Sequence, residues 1–386
     1  MPITNSQNGH IAEDLENVGI VAMQIYFPTH YVEQKKLEEY DGVSSGKYTI
    51  GLGQEQMSFC FSNEDAVSMA LTVVKDLLGS YEIAPEAIGR IEVGSESNPD
   101  RSKSIKTHLV GMYPEAWRGC GGADCVNACF GGTAALLNSL NWIESREWNG
   151  RYALVVMTDV AEYGTGSPAR PTGGAGAVAL LLGKNAVIEV KRDGIVYCCE
   201  NVYDFYKPNS SEYPMVDGAL SVTCYLNSLK YCAQQYELNG HYDHVIMHSP
   251  YSKLIQKGCK VLNEFTNGKD WTSRAALGLK VCRQVGNMYT AAMYGALASV
   301  LSECKEGSRL LAFSYGSGLI SCMFEFVIRG DVSYILRAMR LEDKLDSRMQ
   351  CSAELYDRRH EGLDSETGFY ELLTVNEGRR EYAWRV

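Results

Sequence analysis

The chain has 386 residues, 45 % of them hydrophobic and 22 % charged, a balance that builds a sizeable core and excludes bulk disorder. One ordinary core does not serve that length, so two domains or two packed halves are expected. Lys and Arg number 36 against 47 Asp and Glu, a formal net charge of −11 with no basic block; this argues against general nucleic-acid binding but leaves room for a local basic patch and an anionic small ligand.

Residues 1–17 are polar, lack Arg and carry Glu13, Asp14 and Glu16. They read as a flexible tail, with neither a secretory nor a mitochondrial targeting pattern. Val18–Phe27 reads as a strand and Ala66–Leu78 as a helix. Ile91–Val93 is a short apolar strand that runs into the polar loop Gly94–Arg101. Ala128–Ile143 has helical spacing, and Tyr152–Met157 and Ala175–Leu182 are strands of the buried kind. Leu220–Tyr236 reads as a helix, His244–His248 as a strand and Ser252–Phe265 as a helix. Tyr289–Leu301 is a further helix, followed by strands at Arg309–Phe313 and Ile320–Val327. Alternating apolar strands and helices predict an α/β protein with largely buried sheets. No apolar run approaches the roughly 18 residues that span a bilayer. The 13 cysteines show no CxxC pair and no His at zinc-ligand spacing, so a reducing cytoplasm and mostly buried free thiols are expected.

A weak internal repeat is visible. Asn127-Ala-Cys-Phe-Gly-Gly-Thr-Ala-Ala-Leu-Leu and Asn287-Met-Tyr-Thr-Ala-Ala-Met-Tyr-Gly-Ala-Leu each open a helix. Each helix leads to a strand beginning with Arg, Arg151-Tyr-Ala-Leu-Val-Val and Arg309-Leu-Leu-Ala-Phe-Ser. Two halves of one design follow, expected at 18–187 and 188–386.

Three residues stand out chemically. Cys129 precedes a helix, where unpaired N–H groups and the dipole favour a thiolate; Gly131-Gly132 would let a substrate approach the backbone. His248 closes an apolar strand, where α/β sites lie. Glu96 follows the strand Ile91–Val93, and a carboxylate against apolar walls would have a raised pKa suited to a base. Each also has a bland alternative: a buried structural thiol, a hydrogen-bonded histidine, a solvated loop glutamate. Lys253 and Lys257 share a helix face and would suit a phosphorylated ligand near a site. Pro171-Thr-Gly-Gly-Ala-Gly-Ala and Ser314-Tyr-Gly-Ser-Gly fit neither a Walker loop nor a dinucleotide fingerprint. The second follows a strand, and its N–H groups, Gly318 included, could line an oxyanion site.

Several segments resemble the 3-hydroxy-3-methylglutaryl-CoA synthase family: Asn127-Ala-Cys-Phe-Gly-Gly-Thr-Ala-Ala-Leu, Ala169-Arg-Pro-Thr-Gly-Gly, Tyr203-Asp-Phe-Tyr-Lys-Pro, His248-Ser-Pro-Tyr-Ser-Lys-Leu, Gly286-Asn-Met-Tyr-Thr and Phe313-Ser-Tyr-Gly-Ser-Gly. Gly46-Lys-Tyr-Thr-Ile-Gly-Leu-Gly-Gln and Leu345-Asp-Ser-Arg fit too, so the likeness runs in order from about Val18 to the end. The resemblance implies a thiolase-like fold, two similar halves in five α-β-α-β-α layers, and a homodimer. It implies condensation of acetyl-CoA with acetoacetyl-CoA and water, a step toward mevalonate and isoprenoids, with CoA thioesters as substrates, no cofactor and no metal.

The family's nucleophile falls on Cys129, its general acid/base on Glu96, and the histidine that orients the acetoacetyl ketone on His248. Oxyanion donors fall on the N–H groups of Cys129 and Ser317. Acyl or CoA contacts fall on Ser45, Lys47, Thr172, Ser221, Lys253, Lys257, Asn287 and Ser317, and supporting positions on Asp159, Tyr163 and Asp204. Three departures matter. Phe130 stands where the family often has Tyr, removing one hydroxyl. The loop Tyr163–Arg170 is one residue longer than in animal-type enzymes, which leaves a CoA contact at Ser167 open. The stretch from Lys257 to Gly286 is much shorter. Competing readings are a decarboxylating ketoacyl synthase, which would not need Glu96, a synthase that acts on a carrier-bound β-ketoacyl chain in polyketide β-branching, and an inactive binding homologue.

Overall fold

The computed structural model describes residues 17–384 except 237, 239, 267–269 and 363–369. The expected tail thus lies outside the described residues, apart from Asn17, which is not loose: its side-chain amide donates to the Ala186 carbonyl at 2.5 Å.

In chain order the strands are β1 Val18–Tyr26, β2 His30–Glu33, β3 Gln56–Ser58, β4 Ile88–Gly94, β5 Asp124–Cys125 and β6 Tyr152–Ala161. They continue with β7 Gly174–Lys184, β8 Ile188–Cys199, β9 Phe205–Tyr206, β10 Met215–Val216, β11 His244–Met247, β12 Arg309–Gly316 and β13 Ile320–Ile328. β14 Met349–Cys351 joins β2 and β3 in a small sheet, and β15 Tyr370–Asn376 pairs with β16 Arg379–Trp384.

Nine strands form the main sheet in the order β11-β12-β13-β8-β1-β7-β6-β4-β5. β4 pairs with β6 in parallel, while β6–β7 and β7–β1 are antiparallel. The second run repeats this: β11 is parallel to β12, while β12–β13 and β13–β8 are antiparallel. The two runs meet where β1 touches β8 at Gly19↔Glu189 and Ile20↔Ile188.

The layers follow from strand alternation. Leu154 and Val156 of β6 join an outer core with the helix Ala66–Ser80. Ala153, Val155 and Met157 face the other way, onto Leu136 and Leu140 of the helix Gly131–Ile143 and Leu297 of the helix Ala292–Val300. Leu310 and Ala312 of β12 join that same central core, while Leu311 and Phe313 face the helices Gly218–Gln235 and Ser252–Glu264. The result is helix, sheet, central helix pair, sheet, helix. The central position explains why all nine residues of Ala292–Val300 are buried: a helix with sheets on both sides has no polar face.

Two boundaries differ from the sequence expectation. The helix after Cys129 begins at Gly131, because Ala128 has φ +44° and the chain turns before it winds. The segment 289–301 opens and closes with 3₁₀ turns around Ala292–Val300.

Candidate active site

β4 ends at Gly94, and Ser95-Glu96-Ser97 bend over the C-terminal edge of the sheet. Asp159 of β6 fixes this bend. Its Oδ1 accepts from Ser95 Oγ at 3.1 Å, Glu96 N at 2.8 Å and Ser97 Oγ at 2.8 Å. Its Oδ2 accepts from Thr290 N at 3.0 Å and from the Thr290 hydroxyl. One buried carboxylate therefore ties the Glu96 loop of the first half to the central-helix start of the second. Cys129 sits in the turn before the helix Gly131–Ile143, and its thiol donates to Glu96 Oε1 at 3.2 Å.

Close packing holds that turn. A Cβ on Gly132 would lie 2.6 Å from Met157 Cγ and 2.7 Å from the Thr290 carbonyl oxygen. A Cβ on Gly316, at the end of β12, would lie 2.5 Å from both the Asn127 oxygen and the Phe130 nitrogen. Close packing also demands both glycines here: a Cβ on Gly131 would lie 2.6 Å from the Cys125 carbonyl oxygen, within the same half.

The electrostatics are those of a dry site. Burial, and then the Asp159 charge, push the Glu96 carboxyl up to about 8. Burial raises Asp159 to about 6. Burial and the neighbouring Glu96 hold the Cys129 thiol well above its ordinary value. The helix dipole expected to favour a thiolate is outweighed, and the resting pair is a thiol poised on a carboxylate that titrates near neutrality. Burial alone pushes His248 down to about 3, so its imidazole is neutral. His248 is fixed through its backbone, N–H to Phe313 O at 2.8 Å and carbonyl from Tyr225 OH at 2.9 Å.

A cavity of about 300 Å³ joins these groups. Cys129, Tyr163, Ser167, Thr172, Ser221, His248, Asn287 and Ser317 all line it, with Leu52, Tyr225, Leu254 and Pro250 among its apolar walls. Ser167, left open by the longer loop, thus faces the cavity. Asn287 Oδ1 accepts from Tyr289 N at 2.9 Å. Asp204 accepts from Tyr315 OH at 2.8 Å and Gly318 N at 2.9 Å, fixing the loop that carries Ser317. Ser45, Lys47, Lys253 and Lys257 are exposed and lie outside this lining. Lys253 adjoins it: its N–H donates to the carbonyl of the lining residue Leu52 at 2.9 Å. Phe130 is buried in the central core and is not among the lining residues.

Sequence reasoning missed Tyr289, Thr290 and Lys207. Tyr289 OH donates to Tyr163 OH at 3.1 Å. Lys207 is the cation that draws the Glu96 pKa down; its signal was present in Tyr203-Asp-Phe-Tyr-Lys-Pro, where only Asp204 was singled out. All 13 thiols are free, and nine of them are buried. Among the described residues no group of three or more His, Cys, Asp and Glu could hold a metal ion, and no helix is long and apolar enough to cross a membrane.

Comparison with known proteins agrees with this geometry. The model of the hydroxymethylglutaryl-coenzyme A synthase N-terminal domain matches residues 15–187, and that of the C-terminal domain matches 194–270 and 261–371. The cytoplasmic hydroxymethylglutaryl-CoA synthase of Homo sapiens is 40% identical over 410 residues, covering 88% of this chain and 79% of its own. Hydroxymethylglutaryl-CoA synthase erg13A of Aspergillus fumigatus is 41% identical over 409 residues, covering 89% and 86%. Among solved structures, MvaS in complex with 3-hydroxy-3-methylglutaryl coenzyme A superposes with a TM-score of 0.88 at 29% identity, over 96% of this chain and 99% of that one. The curacin biosynthetic pathway HMG synthase in complex with holo donor-ACP also reaches 0.88, at 25% identity over 96% and 100%. Together, the matched halves and the relatives' coverage show that the chain belongs to the hydroxymethylglutaryl-coenzyme A synthase family.

Proposed function

We propose that the chain condenses acetyl-CoA with acetoacetyl-CoA and water to give 3-hydroxy-3-methylglutaryl-CoA and CoA. In this reading Cys129 passes its proton to Glu96 and attacks the acetyl carbonyl. The C–S bond to CoA breaks, and the departing CoA thiolate takes that proton. Glu96 then removes a proton from the methyl of acetyl-Cys129. The resulting carbanion attacks the acetoacetyl ketone, whose oxygen receives the proton back. The neutral N–H of His248 holds that oxygen, and N–H groups at Cys129 and Ser317 hold the thioester oxygen. Water finally cleaves the Cys129 thioester and leaves a free carboxylate.

The Cys129–Glu96 hydrogen bond carries the reading. It puts nucleophile and base in contact beside a cavity that His248 also lines. Lys47, Lys253 and Lys257 suit the phosphates of CoA, Asp159, Tyr163 and Asp204 brace the site, and no metal or further cofactor is called on. The working unit is taken as a homodimer in the cytoplasm, a location supported by the names of the relatives. A carrier-bound β-ketoacyl acceptor is the second reading; the curacin enzyme's complex with a donor-ACP supports a carrier on the donor side, and the higher identity to the CoA enzymes favours the first.

The test is intact mass after acetyl-CoA, followed by acetoacetyl-CoA or its carrier-bound form. One acetyl group on Cys129 and release of the six-carbon CoA ester are expected. Glu96→Ala should still acetylate, because losing the carboxylate also relieves the thiol of the charge that raises it, but condensation should fall by about 10² to 10⁴. Near wild-type condensation in that variant would remove Glu96 as the base.

A further inference from the structure

Glu96 has two neighbourhoods. Its carboxylate meets Cys129, which lines the 300 Å³ cavity, but Glu96 itself lines a different one of about 630 Å³. Phe205 and Tyr289 line both and form the partition. The second cavity is polar, with Ser97, Asn98, Arg101, Glu162, Lys207 and Tyr213 among its walls. It holds far more than the roughly 10–15 Å³ a water needs, and its walls offer the two to four polar partners that keep one in place.

This arrangement meets a need of the reaction, and the inference rests on the function proposed above. After condensation the six-carbon acyl group is tethered at both ends, to Cys129 and to CoA. CoA then still fills the cavity through which substrates enter, yet water must reach the Cys129 thioester. We propose that the polar cavity behind Glu96 is the water entrance, and that Glu96 draws the hydrolytic water from it while CoA occupies the other. In that step the water oxygen bonds to the thioester carbon and its proton passes to Glu96. The C–S bond then breaks, and the Cys129 sulfur takes the proton from Glu96, restoring the resting pair. No further reactant is required.

The test narrows the entrance and times each step separately. Val160 lines the polar cavity only, on the strand residue next to Asp159. Val160→Phe fills space in that cavity from the strand, and Asn209→Trp fills it from an exposed loop. Acetylation of Cys129 by acetyl-CoA, followed by intact mass, should proceed at the wild-type rate in at least one of the two. On addition of acetoacetyl-CoA that variant should accumulate protein carrying the doubly tethered acyl-CoA adduct, with release slowed by at least about tenfold. Wild-type release without the adduct in every variant that acetylates normally, or loss of acetylation in both, would overturn the water entrance. Absence of acetylation in the wild-type protein would instead overturn the reading on which it rests.

Discussion

Asp159 exerts more control than its distance from the thiol suggests. It is an acceptor for the Glu96 N–H, and its charge is the second cause, after burial, of the raised Glu96 pKa. Condensation needs the base form of Glu96, so its rate should rise with pH toward about 8. Asp159→Asn removes the charge and lowers Glu96; the acid limb of the pH–rate profile should move to lower pH while the maximal rate drops. A pH profile with the limb unmoved would mean that burial alone sets the base. Phe130→Tyr should leave acetylation and condensation unchanged within about twofold, since the ring packs in the central core and one hydrogen bond is worth only about 0.5–1.5 kcal/mol. Stopped-step mass measurements check both rates. Cys129, His248 and Glu96 were legible because each sits where a regular pattern stops, at a helix start or a strand end. Thr290 was not, because its task is to hold Asp159 across the junction of the halves, and no local spacing records a partner 131 residues away.

The start of the helix Gly131–Ile143 is the element on which both halves press. Gly132→Ala would push its methyl into Met157 and the Thr290 carbonyl. Overpacking of this kind costs about 1–3 kcal/mol, and here the strain would also shift Cys129 from Glu96. Thermal unfolding should come several degrees lower, and acetylation should slow; an unchanged melting temperature would show that the two halves can part slightly without cost. Buried strands such as β6, β7 and β13 were readable as apolar runs. β8 was not, because its burial alternates irregularly and its middle, Lys191–Val196, is partly exposed. β2, β3 and β14 are three or four residues long and owe their pairing to one another, so nothing local marks them.

The whole molecule carries its stability in dry polar sites as well as in apolar layers. Burial lowers His108 to about 4 and His248 to about 3. The unfolded chain binds those protons at the ordinary value of 6.5, so stability present above pH 6.5 is lost as pH falls toward 3. Burial raises Glu64 to about 7, which works the other way: its contribution, full below 4.5, is lost as pH rises through 7. Glu96 and Asp159, raised to about 8 and about 6, work in the same direction as Glu64, so the histidines' share is read by difference: between pH 6.5 and pH 4, His108→Gln should lose less melting temperature, or gain more, than the unaltered protein. The repeat in the sequence foretold the matching strand orders, though not that β1 and β8 would meet in one continuous sheet. Asn127-Ala-Cys129 and Asn287-Met-Tyr289 hold matching places in the two repeats. The first place carries the thiol that bonds Glu96; the second carries a phenol ring that walls both cavities. One position of the repeat thus meets the candidate site from both halves, so a change at Tyr289 would be felt in both cavities at once.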